Sequence, residues 1–140
     1  MWRTALGILV GVVGGGIVNM ALIMLGSTLV PAPAGMDVTD TESVAAHAHL
    51  FEPQHFIAPF VAHAAGTFVG AFVAFLLARE HRRLAAGVVG GVMLAGGISA
   101  AHMVPAPLWF LVADLALAYV PMAWLAALAG AGWVEADSAA

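Results

Sequence analysis

The sequence predicts an all-α membrane protein, a bundle of four transmembrane helices, and three observations carry that prediction. Of 140 residues, 63% are hydrophobic and 9% charged, and the mean hydropathy of +1.01 lies well above that of a soluble domain. The apolar residues gather into four segments, at about residues 5–30, 56–78, 84–104 and 108–131, each long enough to cross the ~30 Å hydrocarbon layer. Every charged residue except Asp114 falls between or beyond these segments. The length matches one domain, spanning residues 1–140.

The first segment follows Arg3 and contains no charge. A secretory signal has an apolar region of only ~7–15 residues, so the 26 residues of 5–30 are expected to stay as a membrane helix. In the 31–55 loop, Thr39-Asp40-Thr41-Glu42 fits a capping box, with Thr39 as the cap and Glu42 reaching back. A short surface helix over residues 40–51 is expected there, with Val44, Ala48 and Phe51 on one face. Pro53 suits the start of the second span, because a first-turn proline removes no helical hydrogen bond. In the fourth span Pro121 predicts a kink. Trp109, Trp124 and Trp133 are expected to divide between interface anchoring and packing.

The basic residues set an expected orientation. All four, Arg3, Arg79, Arg82 and Arg83, precede the first span or lie between the second and third, and there is no lysine. The 31–55 loop carries Asp37, Asp40, Glu42 and Glu52 and no basic residue. By the positive-inside rule both termini and the 79–83 turn face the cytoplasm and the acidic loop faces outward. The four arginines read as topology anchors, and the net charge of −4 offers nothing to a nucleic acid.

Internal similarity suggests two repeated hairpins. Gly-Val-Val-Gly-Gly occurs at 11–15 and 87–91, and Val-Pro-Ala-Pro at 30–33 and 104–107. The second spans then align His63 with Asp114 and Phe68 with Tyr119, as in parallel repeats about an axis along the membrane normal. Chance matching is the alternative in a chain this rich in Ala, Val and Gly. Gly11 with Gly15, Gly66 with Gly70 and Gly87 with Gly91 are small-xxx-small pairs that let helix backbones approach closely, within one chain or between copies.

Any chemistry has to use the polar side chains inside the spans. At ~1.5 Å rise per residue, His63 and Asp114 fall roughly 10 Å below the outer surface, Ser99 shallower, His102 near the rim, and Asn19 and Tyr119 near mid-membrane. A carboxylate in a span costs at least ~2.5 kcal/mol unless it is protonated, paired or wetted, which marks Asp114 as a functional candidate with His63 its natural partner. Two uses of the pair stay open: proton exchange or binding of a cation or small polar solute in an outward cavity, or a static contact between helices.

Cofactor chemistry has less support. His49, Glu52 and His55 could contribute to a divalent-metal site if the loop unwinds near Pro53, whereas His47 and His49 on a helix would point about 200° apart. His63 and His102 lie on adjacent spans, as two axial ligands of haem b would, but about 7 Å apart in depth. No cofactor is therefore expected. The absence of cysteine excludes disulfides, thiolate metal sites and the small four-span quinone-linked thiol oxidoreductases. No nucleophile with a positioned base is visible, nor a glycine-rich phosphate loop.

The stretch His-Phe-Ile-Ala-Pro-Phe-Val-Ala-His-Ala-Ala-Gly-Thr-Phe-Val-Gly-Ala at 55–71 resembles a segment of small four-span membrane proteins of bacteria, over the second span only. That resemblance implies a four-helix fold in the bacterial inner membrane and brings no activity with it. Small multidrug exporters share the size and span number but place an essential glutamate in the first span, where this chain has only Asn19. The expected function is a carrier or channel-like protein handling protons or a small solute at an outward-facing polar site. The alternatives are an accessory subunit without chemistry of its own and an intramembrane enzyme or metal- or haem-binding protein. The expected partners are the lipid bilayer and either further copies of the chain or a larger membrane complex.

Overall fold

The computed structural model describes residues 1–37 and 40–139. In chain order it holds α1 (Trp2–Leu29), α2 (Thr41–His47), α3 (Ile57–Leu77), α4 (Arg82–Met103), α5 (Leu108–Leu117) and α6 (Val120–Ala139). Four apolar spans result, the second being α3 with the 3-10 turn Pro53–Phe56 and the fourth α5 followed by α6. The chain is a multi-pass membrane protein. We call the end with Met1, the 78–81 turn and Ala139 the termini end, and the opposite one the loop end.

Local structure departs from expectation at three points. The expected cap Thr39 lies outside the described residues, and Asp40 caps α2, its carboxylate accepting from the amides of Glu42 at 3.2 Å and Ser43 at 3.1 Å. This helix is shorter than 40–51, tightening into a 3-10 turn at Ala48–Leu50 before the chain extends at Glu52, as the residue before a proline must. The Pro121 kink is realised as a full interruption. Proline has no N–H for the carbonyl of Leu117, so α5 ends, Ala118 and Tyr119 leave the helix, and α6 restarts with the Ala123 amide on the Tyr119 carbonyl at 2.9 Å.

Packing centres on α3, which touches α1, α4 and α6. Lipid is as apolar as the helices, so close approach has to come from small side chains. Gly11 and Gly15 of α1 lie directly on Gly66 and Gly70 of α3: a Cβ at Gly70 would stand 2.5 Å from the Gly11 carbonyl oxygen, and one at Gly15 2.6 Å from that of Gly66. At the termini end, Ala71, Ala74, Ala78, Ala85, Ala86, Val89, Ala123 and Ala126 close a dense core around Phe75. Arg82 lies over the Phe75 ring, 5.8 Å from its centroid.

The third expected glycine pair behaves differently. Gly87 and Gly91 face open space, and α4 meets α6 through Gly90 against Ala123 instead. The similar segments at 11–15 and 87–91 therefore hold different places in the bundle.

Because the α1–α3 seam has no room for a side chain, Gly70→Leu should destabilise the bundle by roughly 1–3 kcal/mol, the usual cost of overpacking. Gly14→Leu, at a glycine with nothing within 4 Å, should leave thermal stability in detergent near that of the parent. Equal melting temperatures for the two variants would contradict the seam.

Candidate functional site

Toward the loop end a space opens between α3, α4 and α5. Aromatic rings border it: Phe56 packs on Phe110 with ring centroids 4.7 Å apart, and Trp109 meets Phe56 edge-on at 5.6 Å. The space is a cavity of about 200 Å³. Phe51, His55 and Pro105 stand toward the loop end, Phe110 and Leu111 form wall, and His63, Asp114 and Gly97 lie deeper.

His63 of α3 and Asp114 of α5 meet at the bottom. The imidazole Nδ1 is 2.8 Å from one carboxylate oxygen and 3.0 Å from the other, so it donates its proton across the Asp114 carboxylate. The Tyr119 hydroxyl donates to the same group at 3.1 Å. Tyr119 also stacks on the His63 ring, with centroids 5.7 Å apart and planes 29° from parallel. With Nδ1 assigned as the donor, Nε2 of a neutral His63 carries the free lone pair. Among the described residues Nε2 has no hydrogen-bond partner, and the His63 side chain keeps 19% of its exposure against 6% for Asp114.

The helix interruption places Tyr119. Released from helical geometry, its side chain lies back along α5 toward Asp114, five residues earlier, and is itself 2% exposed. Gly97 of α4 provides the space. A Cβ there would collide with the tyrosine hydroxyl and ring. The broken backbone is accordingly buried in protein, with Ala118 fully covered, which is how unwound segments are tolerated at membrane depth.

Of the six polar residues expected inside the membrane, the structure gathers His63, Asp114 and Tyr119 and separates the others. Ser99 donates to the Ala95 carbonyl of its own helix at 2.9 Å and is exposed. His102 bonds through Nδ1 to the Ile98 carbonyl at 2.8 Å and borders a different, shallow hollow with Leu108 and Val112. It does not share the His63 cavity, so the two imidazoles are not placed as a ligand pair. Asn19 lies on the α1–α3 seam against Gly66, and its Oδ1 is buried without a partner.

The loop residues His49, Glu52 and His55 are not drawn into one cluster, and among the described residues no three His, Cys, Asp or Glu side chains could jointly hold a metal. Glu52 and His55 instead cap the turn before α3, the Glu52 amide donating to His55 Nδ1 at 3.0 Å. His49 Nδ1 is 3.1 Å from the Ala46 carbonyl. Two features of the site went unread in the sequence: His55 beside its mouth and Gly97 as the notch. Thr67, one turn past His63, is fully buried with its hydroxyl unpartnered but does not line the cavity. Compared with known proteins, the chain matches no family pattern, no curated sequence and no solved structure.

Two substitutions test the geometry. Gly97→Ala should push Tyr119 off Asp114, and Tyr119→Phe should remove one hydrogen bond to the carboxyl group, a loss of about 0.6–2 kcal/mol of stability. As the only tyrosine, Tyr119 gives a single signal in a tyrosine-labelled NMR sample. That signal should move in Gly97→Ala and stay in Ser99→Ala; an unmoved signal in Gly97→Ala would contradict the notch.

Proposed function

We propose that this chain is a small carrier or channel-like protein of the bacterial inner membrane, with both termini cytoplasmic, that exchanges a proton and binds a small solute at an outward-facing site. The observation that carries the proposal is that His63 and Asp114, 51 residues apart, hydrogen-bond at the bottom of a cavity reaching toward the loop end. The orientation rests on the arginines, which stand at the termini end, while Asp37, Asp40, Glu42 and Glu52 stand at the other.

Asp114 orients the imidazole and stabilises it once charged, and Tyr119 supplies a further donor to the carboxylate. A proton entering from the outer side reaches Nε2, and the imidazolium then faces a carboxylate 2.8 Å away. The apolar walls suit a solute that is mostly carbon with one polar head, the head meeting His63. The aligned residues of the suggested repeat, 63 and 114, are the two that meet, which favours duplication at this level even though the 11–15 and 87–91 segments are used differently. The competing reading is a clasp between α3 and α5 in an accessory subunit, favoured by the near-complete burial of Asp114, 4% exposed.

Proteoliposomes containing a pH-sensitive dye separate the two. The parent chain should carry protons inward after an external acid step faster than protein-free liposomes, His63→Ala and Asp114→Asn should fall to the protein-free rate, and Ser99→Ala should match the parent. Parent flux at the protein-free level, or full flux in folded His63→Ala and Asp114→Asn, would sink the proposal. Orientation is checked separately, since the chain has no native cysteine. Thr41→Cys should react with an impermeant maleimide on intact spheroplasts, and Ser138→Cys only after they are opened; the reverse pattern would invert the topology.

A further inference from the structure

A second concavity lies outside the His63 site, between α4 and α6 in the termini half. It has a volume of about 240 Å³ and its walls are mostly carbon, with Gly87 and Gly90 on one side and Ala123, Trp124 and Leu128 on the other. Arg83 is the one charged residue lining it. The groove exists because Gly87 projects nothing into it: no atom lies within 4 Å of where its Cβ would be. Trp124, 62% exposed, forms one lip, so the groove opens sideways from the bundle. From Arg83 to Gly90 it runs about 10 Å along α4, from the termini end toward mid-membrane.

We propose that this groove binds one anionic glycerophospholipid, an acyl chain lying along Gly87 and the headgroup phosphate on Arg83. Charge and position select that occupant. Arg83 is in the first turn of α4, a helix whose first turn holds no acidic residue and whose start at His81 has no side-chain cap, so the positive end of the helix adds to the guanidinium. The neighbouring arginine is committed elsewhere, Arg82 lying over Phe75, so Arg83 alone faces the groove. Among the described residues no carboxylate lies within 4.0 Å of Arg83; the close ion pairs are Met1 with Glu80 and His63 with Asp114. Gly90 meets Ala123 on the antiparallel α6, so Arg83 is about level with Gly130, and Glu135 and Asp137 lie about 8 and 10 Å beyond it along the helix. A basic side chain at the mouth of an apolar cleft between spans is the arrangement that holds anionic headgroups. The site does not depend on the function proposed for His63 and Asp114, or on which membrane face the termini occupy.

Native mass spectrometry of the detergent-purified full chain, offered equal phosphatidylglycerol and phosphatidylcholine, tests this. The parent should retain phosphatidylglycerol about fivefold more than phosphatidylcholine, the preference one surface arginine confers. Arg83→Gln should abolish the preference while keeping some of both lipids, and Gly87→Leu, which fills open space, should lower the occupancy of both. No preference in the parent, an undiminished preference in Arg83→Gln, or unchanged occupancy in folded Gly87→Leu would each overturn the proposal.

Discussion

The organising constraint is that helices in lipid gain nothing by hiding carbon from carbon, so they hold together only where their backbones can come very close. Here that condition is met along α3. Gly66 and Gly70 accept the backbone of α1 at Gly11 and Gly15, Ala74 and Ala78 lie against Gly7 of α1, and the α3 alanines share one core with those of α4 and α6. Toward the loop end α3 faces α5 instead of α6: Phe56, just before α3, packs on Phe110, and His63 meets Asp114. The cavity lies beside that pair, between α3, α4 and α5.

Asp114 is the cost of that arrangement and also what gives it chemical character. Insertion of a carboxylate in a span is unfavourable by roughly 2.5–3.5 kcal/mol at the centre. A hydrogen bond between spans returns only about 0.6–2 kcal/mol, so a single donor does not offset that cost and a second narrows it. Asp114 has two donors from different elements, His63 on α3 and Tyr119 at the helix break. Pro121 therefore contributes to the site indirectly. By ending α5 it frees Tyr119 to turn back on Asp114, and Gly97 leaves the space that the turn needs.

Composition and hydropathy exposed the four spans and all their ends but one to within about three residues, because hydropathy is summed over ~20 positions; the last helix runs on to Ala139, past the expected 131, since its polar final turn is helical without being apolar. The His63–Asp114 pairing was legible for a different reason: a lone intramembrane carboxylate demands a partner, and few residues at its depth could serve. Depth along a helix can be counted from sequence, but azimuth relative to neighbours cannot. Asn19, Ser99 and His102 had suitable depths and failed on azimuth, Ser99 and His102 turning to their own backbone carbonyls. The same ambiguity affected glycine. Gly87 and Gly91 have the spacing of Gly66 and Gly70, yet they face outward because the neighbouring Gly90 takes the contact with Ala123.

The exposure of the pair bears on which of its two roles is the better account. A hydrogen bond whose only task is to join α3 to α5 is strongest when water is excluded from both partners, since local polarity weakens the attraction. The termini half, with its dense alanine core, would have been the place for it. Instead the pair lies at the bottom of a cavity, and the two partners are unequal: Asp114 is nearly sealed, with 6% of its side chain accessible, while His63 keeps 19%. The accessible partner is the one with an unused nitrogen. In the proposed role the sealed carboxylate keeps its contact with the imidazole, and the accessible imidazole is the group a proton or a polar head would meet; a clasp alone calls for no such inequality.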